Sequence, residues 1–201
     1  MLKNETMRTA QKQRSSKETQ IEVSVNLDGE GLGNIDTGVA FFDHMLEQIK
    51  KHSFTDLDIK TQGDNHIDDH HSVEDTGIVL GEALKEALGE RKGIVRYASA
   101  RVVMDEALVS CDIDLCTRPY LVYDVPVDKE RINSFETELC IEFWRALVNN
   151  CGMTVHFTKE RGVNSHHIIE ASFKAFALAF DKAKSLDPRK AGQVPSTKGI
   201  I

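Results

Sequence analysis

The chain has 201 residues, 40% of them hydrophobic and 28% charged, which is enough for a sizeable core without disulfide staples. A formal net charge of −7 and the lack of any long Lys/Arg run argue against nucleic acid or an anionic membrane as the main partner. No apolar stretch approaches the roughly 18 residues of a membrane span, and the polar N-terminus has no export core, so the expected place of work is the cytoplasm.

In chain order, residues 1–17 read as an irregular basic arm. Residues 20–27 alternate polar and apolar side chains, the period of a half-buried strand. A Gly-rich turn follows, with a second strand expected over 34–40. Phe42, Met45, Leu46 and Ile49 have helical spacing over residues 42–52. Residues 56–61 alternate again, and a helix capped by Asp68 or Asp69 runs to Gly89. The second half repeats this programme. Strands are expected over 100–107, 108–115, 120–127 and 153–158, with helices over 135–150 and from Asn164 to Lys184. The fold class is therefore α+β, built as two similar sheet-plus-helices subdomains from an internal duplication. The divisions fall at 1–17 (arm), 18–92 (first half), 93–186 (second half) and 187–201 (a Pro-, Gly- and Ser-containing tail). Cys111, Cys116, Cys140 and Cys151 form no Cys-x-x-Cys pair and read as free buried thiols.

The repeated element with chemistry in it is His-His-x-x-Glu. It occurs as His70-His71-Ser72-Val73-Glu74 and again as His166-His167-Ile168-Ile169-Glu170, each opening a helix. Residues four apart share a helix face, so His70 with Glu74, and His166 with Glu170, can reach one ion together. His71 and His167 are turned by about 100° and point to a different ligand set. One such pattern is a common surface pair; two in equivalent places indicate a di-metal site. Superposing the halves adds His44 and Glu142 as equivalent ligands in the preceding helices. One ion is then expected to take His44, His71, His166 and Glu170, the other His70, Glu74, Glu142 and His167. Imidazole and carboxylate donors without thiolate, with open positions left for substrate, favour Mn²⁺ over Fe or Zn. Asp64, Asp68, Asp69 and Asp75 read as caps and as partners that hold the ligands. His52, at a helix end, is either a substrate contact or an ordinary surface histidine.

Several longer motifs carry a family resemblance. Phe41-Phe42-Asp43-His44-Met45-Leu46, Asp68-Asp69-His70-His71 with Glu74-Asp75, Asp105-Glu106-Ala107-Leu108, Arg118-Pro119, residues 166–175 and Pro195-Ser196-Thr197-Lys198-Gly199 resemble imidazoleglycerol-phosphate dehydratase. The resemblance covers the chain from about Arg14 onward. It implies a lyase of histidine biosynthesis with two Mn²⁺ ions per active site, and halves of the ribosomal protein S5 domain 2-like type. It also implies a homo-oligomer, a 24-mer with sites between subunits. By the same resemblance Glu18, Gln48, Arg96, Arg118, Lys174, Ser196, Thr197 and Lys198 match substrate-contacting positions, and Glu18 is the candidate catalytic base. Three departures stand out. Glu142 occupies a position where some relatives carry His; Cys116-Thr117 precedes Arg118 where Ser-Gly is usual; Thr197 replaces a second Ser.

The implied reaction breaks a C–H bond that is not acidic by itself, so it needs an electron sink. The substrate's imidazole ring supplies one when its two nitrogens bind metal ions, which act as Lewis acids and template. A carboxylate base removes the carbon-bound proton, while Arg96, Arg118 and Lys198 grip the phosphate. Two other classes compete. A di-metal phosphate-ester hydrolase is expected to carry bridging aspartates, and these ligands are mostly histidine. A ferritin-type storage protein places its ligands in a four-helix bundle, and the alternating strands argue against that.

Overall fold

The computed structural model describes residues 7–199 of the chain. Its first sheet has the order β1-β2-β4-β3, formed by β1 (Thr9–Ser15), β2 (Thr19–Asn26), β4 (Asp56–Gly63) and the short β3 (Ile35–Asp36). Its second has the order β5-β6-β10-β7, formed by β5 (Tyr97–Met104), β6 (Ala107–Asp114), β10 (Thr154–Arg161) and β7 (Tyr120–Asp124). In each sheet three neighbouring strands are antiparallel and the last strand runs parallel to its neighbour. The registers repeat as well: Thr9 faces Asn26 in the first half, and Tyr97 faces Asp114 in the second. A two-stranded ribbon, β8 (Arg131–Ile132) with β9 (Phe135–Glu136), completes the strands.

Four helices fill the interior: α1 (Ala40–His52), α2 (His70–Leu88), α3 (Leu139–Cys151) and α4 (Ser165–Lys184). Alternation fixes which face of each sheet they cover. In β2, Thr19, Ile21, Val23 and Val25 are buried while Gln20 and Glu22 face out; β4 buries Leu57, Ile59 and Thr61. The halves meet through their helices, α2 on α3 and α1 on α4, which leaves the sheets outside. One continuous core results, centred on Trp144 among Phe143, Phe157, Phe173 and Phe176.

The contact between α2 and α3 depends on glycine. A Cβ on Gly81 would sit 2.7 Å from the Leu147 carbonyl oxygen and 2.9 Å from Asn150 Cβ. Backbone cannot retreat as a flexible side chain can. Gly81→Ala is therefore expected to destabilise the protein, since overpacking costs about 1–3 kcal/mol against about 1 kcal/mol gained in helix propensity. A lowered urea midpoint at unchanged slope is the measurement.

Three expectations need correction. The irregular arm is, in its described part, strand β1; residues 1–6 lie outside the described residues. Its seven residues are polar but for Ala10, because this edge strand buries only that side chain against the helices. The strand expected over 34–40 shrinks to two residues, because Gly38 takes a left-handed turn (φ 76°) just before α1. The helix expected from residue 135 starts at Leu139, since Phe135 and Glu136 pair back to Ile132 and Arg131.

Candidate metal centre and phosphate pocket

Both His-His-x-x-Glu helices begin in the same way. The Asp68 carboxylate accepts the His70 backbone N–H at 2.9 Å, and the Asn164 side-chain oxygen accepts that of His166 at 3.0 Å. Each cap satisfies a donor that the helix cannot and starts the helix where its first histidine emerges.

At α4 the ligand groups converge. Glu170 Oε2 lies 3.0 Å from His166 Nε2 and 3.3 Å from His44 Nε2, which α1 brings across from the first half. His44, His166 and Glu170 offer ligand atoms that all lie within 4.8 Å of one another. Glu170 is only 5% exposed. Burial alone pushes its carboxyl up, but Lys174, at 2.8 Å, together with His44 and His166 holds it below the ordinary carboxylate value. Two imidazoles and a carboxylate on one face are a donor set for a first-row divalent ion.

The other expected ligands stand apart within one chain. His71 is not with the trio: its Nδ1 lies 3.0 Å from Asp64 Oδ1, and its Nε2 is 3.9 Å from Glu18. His70 and Glu74 make their helical pair at 3.3 Å, but Glu142 turns to Arg145 at 2.5 Å instead of joining them. His167 Nδ1 bonds Glu106 at 2.8 Å. That hydrogen bond, then the Asn164 backbone N–H, draws the Glu106 carboxyl down to about 2. Asp64 and Glu106 in turn raise His71 and His167 above the ordinary imidazole value, in each case first through the hydrogen bond itself.

Around the trio lie Gln48, whose side-chain amide donates to the His44 carbonyl at 3.1 Å, and His52 at the end of α1. Burial first, then the nearby Lys174 charge, lowers His52 below the ordinary imidazole value.

The remaining expected residues gather at a second place. Arg96, Arg118, Ser196, Thr197 and Lys198 line one open pocket, together with Tyr97, Lys190 and Gln193. The tail folds back over the entry to β5: Asp187 N–H donates to the Gly93 carbonyl, and Gly93 N–H donates to that of Gln193. Arg96 is held from three sides. It donates to Asp114 at 2.7 Å and to the Pro195 carbonyl at 2.6 Å, and stacks on Tyr97 at 4.5 Å. Asp114 also lies 3.7 Å from Arg118. Two guanidiniums, a lysine and two hydroxyls facing one pocket are a donor set suited to an oxyanion such as a phosphate group, although Arg96 is already paired with Asp114.

Sequence reasoning placed Glu106 in a family motif but gave it no role, and it did not single out Arg145 or Asp114. Glu106 carried a signal, since it stands before β6 as Glu18 stands before β2; the other two are legible only once the elements are folded together.

A family model for imidazoleglycerol-phosphate dehydratase matches residues 37–180. A protein of that description from a Ruegeria species is 55% identical over 195 residues, spanning 97% of this chain and all of the relative. One from Sinorhizobium fredii is 50% identical, spanning 96% of each chain. Among solved structures, imidazoleglycerol-phosphate dehydratase from Staphylococcus aureus superposes with a TM-score of 0.82 at 41% identity, over 89% of this chain and 99% of that one. The Pyrococcus furiosus enzyme gives 0.81 at 34% identity, over 94% and 100%. With the repeated halves, the histidine clusters and likeness along nearly the full length in agreement, the chain belongs to the imidazoleglycerol-phosphate dehydratase family, lyases of histidine biosynthesis.

Proposed function

We propose that the chain dehydrates imidazole glycerol phosphate to imidazole acetol phosphate at two Mn²⁺ ions, in sites shared between copies of itself. The observation that supports this reading is a separation along α4. His166 is in its first turn, while Arg96 N–H bonds the carbonyl of Ala183 near its end. At 1.5 Å per residue that is about 25 Å, far beyond the three-carbon spacer between the substrate's ring and its phosphate. A ring bound at His166 and a phosphate bound at Arg96 therefore belong to different copies of the chain. The 24-mer that the family resemblance implies would satisfy this requirement. Ile67 and Val163, 64% and 76% exposed three residues before each His-His pair, supply apolar surface for such contacts.

His44, His166 and Glu170 would hold one ion from this chain, and His71, His167, His70, Glu74 and Glu142 complete the two ligand sets across the assembly. Bound there, the ions supply Lewis acidity toward the ring nitrogens. The chain's own residues do the rest. Arg96, Arg118, Lys198, Ser196 and Thr197 fix the phosphate, Gln48 and His52 border the ring, and Lys174 neutralises Glu170. Glu18, exposed beside His71, is the base that takes the carbon-bound proton. Four buried free cysteines suit a reducing compartment, the cytoplasm in this reading.

Turnover of imidazole glycerol phosphate tests the reading. Ketone formation is expected to vanish on chelation and return with Mn²⁺. Folded, assembled protein that yields no ketone under any divalent metal would overturn it.

A further inference from the structure

Glu106 lies 88 residues beyond Glu18, the step that also separates Thr9 from Tyr97 and Asn26 from Asp114 in the matched registers. The two carboxylates therefore occupy one place in the repeat, yet their surroundings differ. Glu18 is exposed and 3.9 Å from His71 Nε2. Glu106 is fully engaged. Its Oε1 accepts the backbone N–H groups of Asn164 at 2.8 Å and Val163 at 3.2 Å, and its Oε2 takes His167 Nδ1 at 2.8 Å.

A carboxylate only accepts hydrogen bonds, so His167 Nδ1 must carry a proton toward it. In a neutral imidazole that places the lone pair on Nε2, the only nitrogen then able to ligate. The first half reaches the same end from another element, because Asp64, after β4, takes His71 Nδ1. The second half lacks that solution: Arg161 faces Leu108 as Gln62 faces Gln20, so the place of Asp64 falls to Val163, whose side chain cannot accept a hydrogen bond.

We propose that Glu106 is a positioning residue of the metal centre: it fixes the His167 tautomer and ring so that Nε2 is presented to a divalent cation. This rests on the reading of His167 as a ligand. The geometry gives the role a signature that a loop anchor would lack. In Glu106→Gln the amide has one oxygen for two sets of donors. Two backbone N–H groups claim it, which turns the amide NH₂ toward His167 Nδ1. The ring then has to accept at Nδ1 and carry its proton on Nε2, where it blocks the metal. Asp64 has no such conflict, since its side chain serves His71 alone, and in Asp64→Asn the amide oxygen can still accept from Nδ1.

The test is Mn²⁺ affinity of metal-stripped, assembled protein, read from the electron paramagnetic resonance signal of the free ion, with circular dichroism to check the fold. Glu106→Gln is expected to weaken the site that His167 serves by about 10–100-fold. Glu106→Ala, which leaves either tautomer open, is expected to lose less, and Asp64→Asn least of all. A pure anchoring role predicts the opposite order, with Glu106→Ala worse than Glu106→Gln, and that order overturns the proposal. Equal affinity in Glu106→Gln and the unaltered protein also overturns it and leaves the dehydratase reading intact. An unaltered protein that binds no Mn²⁺ removes the metal-site reading itself, and this proposal with it.

Discussion

Two crippled variants, His166→Ala and Arg118→Ala, are expected to regain turnover when produced together in one cell. His166→Ala removes one of the three proposed ligands clustered with His44 and Glu170, at an expected cost in metal affinity and activity of about a hundredfold or more. Arg118→Ala removes an exposed guanidinium from the phosphate pocket, weakening a charge-assisted grip worth about 1.5–3 kcal/mol, or about 10–100-fold. In a mixed assembly, an intact trio from one variant can face an intact pocket from the other. With random mixing in a symmetric oligomer, about a quarter of the sites are then unaltered, so activity should rise to that share of the unaltered enzyme. Activity no higher than that of the better single variant would place both halves of a site on one chain. That outcome contradicts the span of α4.

Arg91→Ala is expected to give the largest loss of stability. Arg91 is 3% exposed and donates to the carbonyls of Cys116, Cys151 at 2.6 Å and Gly152 at 2.7 Å. Among the described residues it makes no ion pair with a carboxylate; the end of α3 takes that place. Carbonyls left over where Gly152 ends the helix in a left-handed turn (φ 68°) carry the negative end of its dipole, and the guanidinium lies across them. Truncation orphans three buried acceptors and leaves a void, together worth about 3–5 kcal/mol. For a chain of this size that is a fall in Tm of about 10 °C or more at fixed protein concentration. An unchanged melt would mean that water replaces the guanidinium without loss.

Much of this architecture was legible because the duplication writes each element twice. The repeated His-His-x-x-Glu runs fixed the equivalence of α2 and α4, and buried positions at helical spacing, Phe42, Met45, Leu46 and Ile49, marked α1. Strand β1 was hidden because an edge strand that packs only Ala10 looks like any polar segment. Which of the expected ligand side chains come together was legible only in part. Helical spacing joins His166 to Glu170, but it cannot show that Glu142 turns to Arg145, or that His71 is held by a carboxylate from beyond β4. Contacts of that kind depend on rotamers and on loops from distant segments, and no periodicity in the chain encodes them.

The repeat also bears on how such a site can evolve. If two identical half-chains simply dimerised, every position would be bound to do the same work on both sides, and a mutation helpful on one side would be imposed on the other. Joined in one polypeptide, the halves are released from that constraint. Glu18 stays exposed beside His71 while its counterpart Glu106 is committed to His167, and the place of Asp64 is taken by Val163, which has no polar side-chain atom at all. Carrying both halves in one chain thus does more than tether two copies: it leaves equivalent positions free to take different roles.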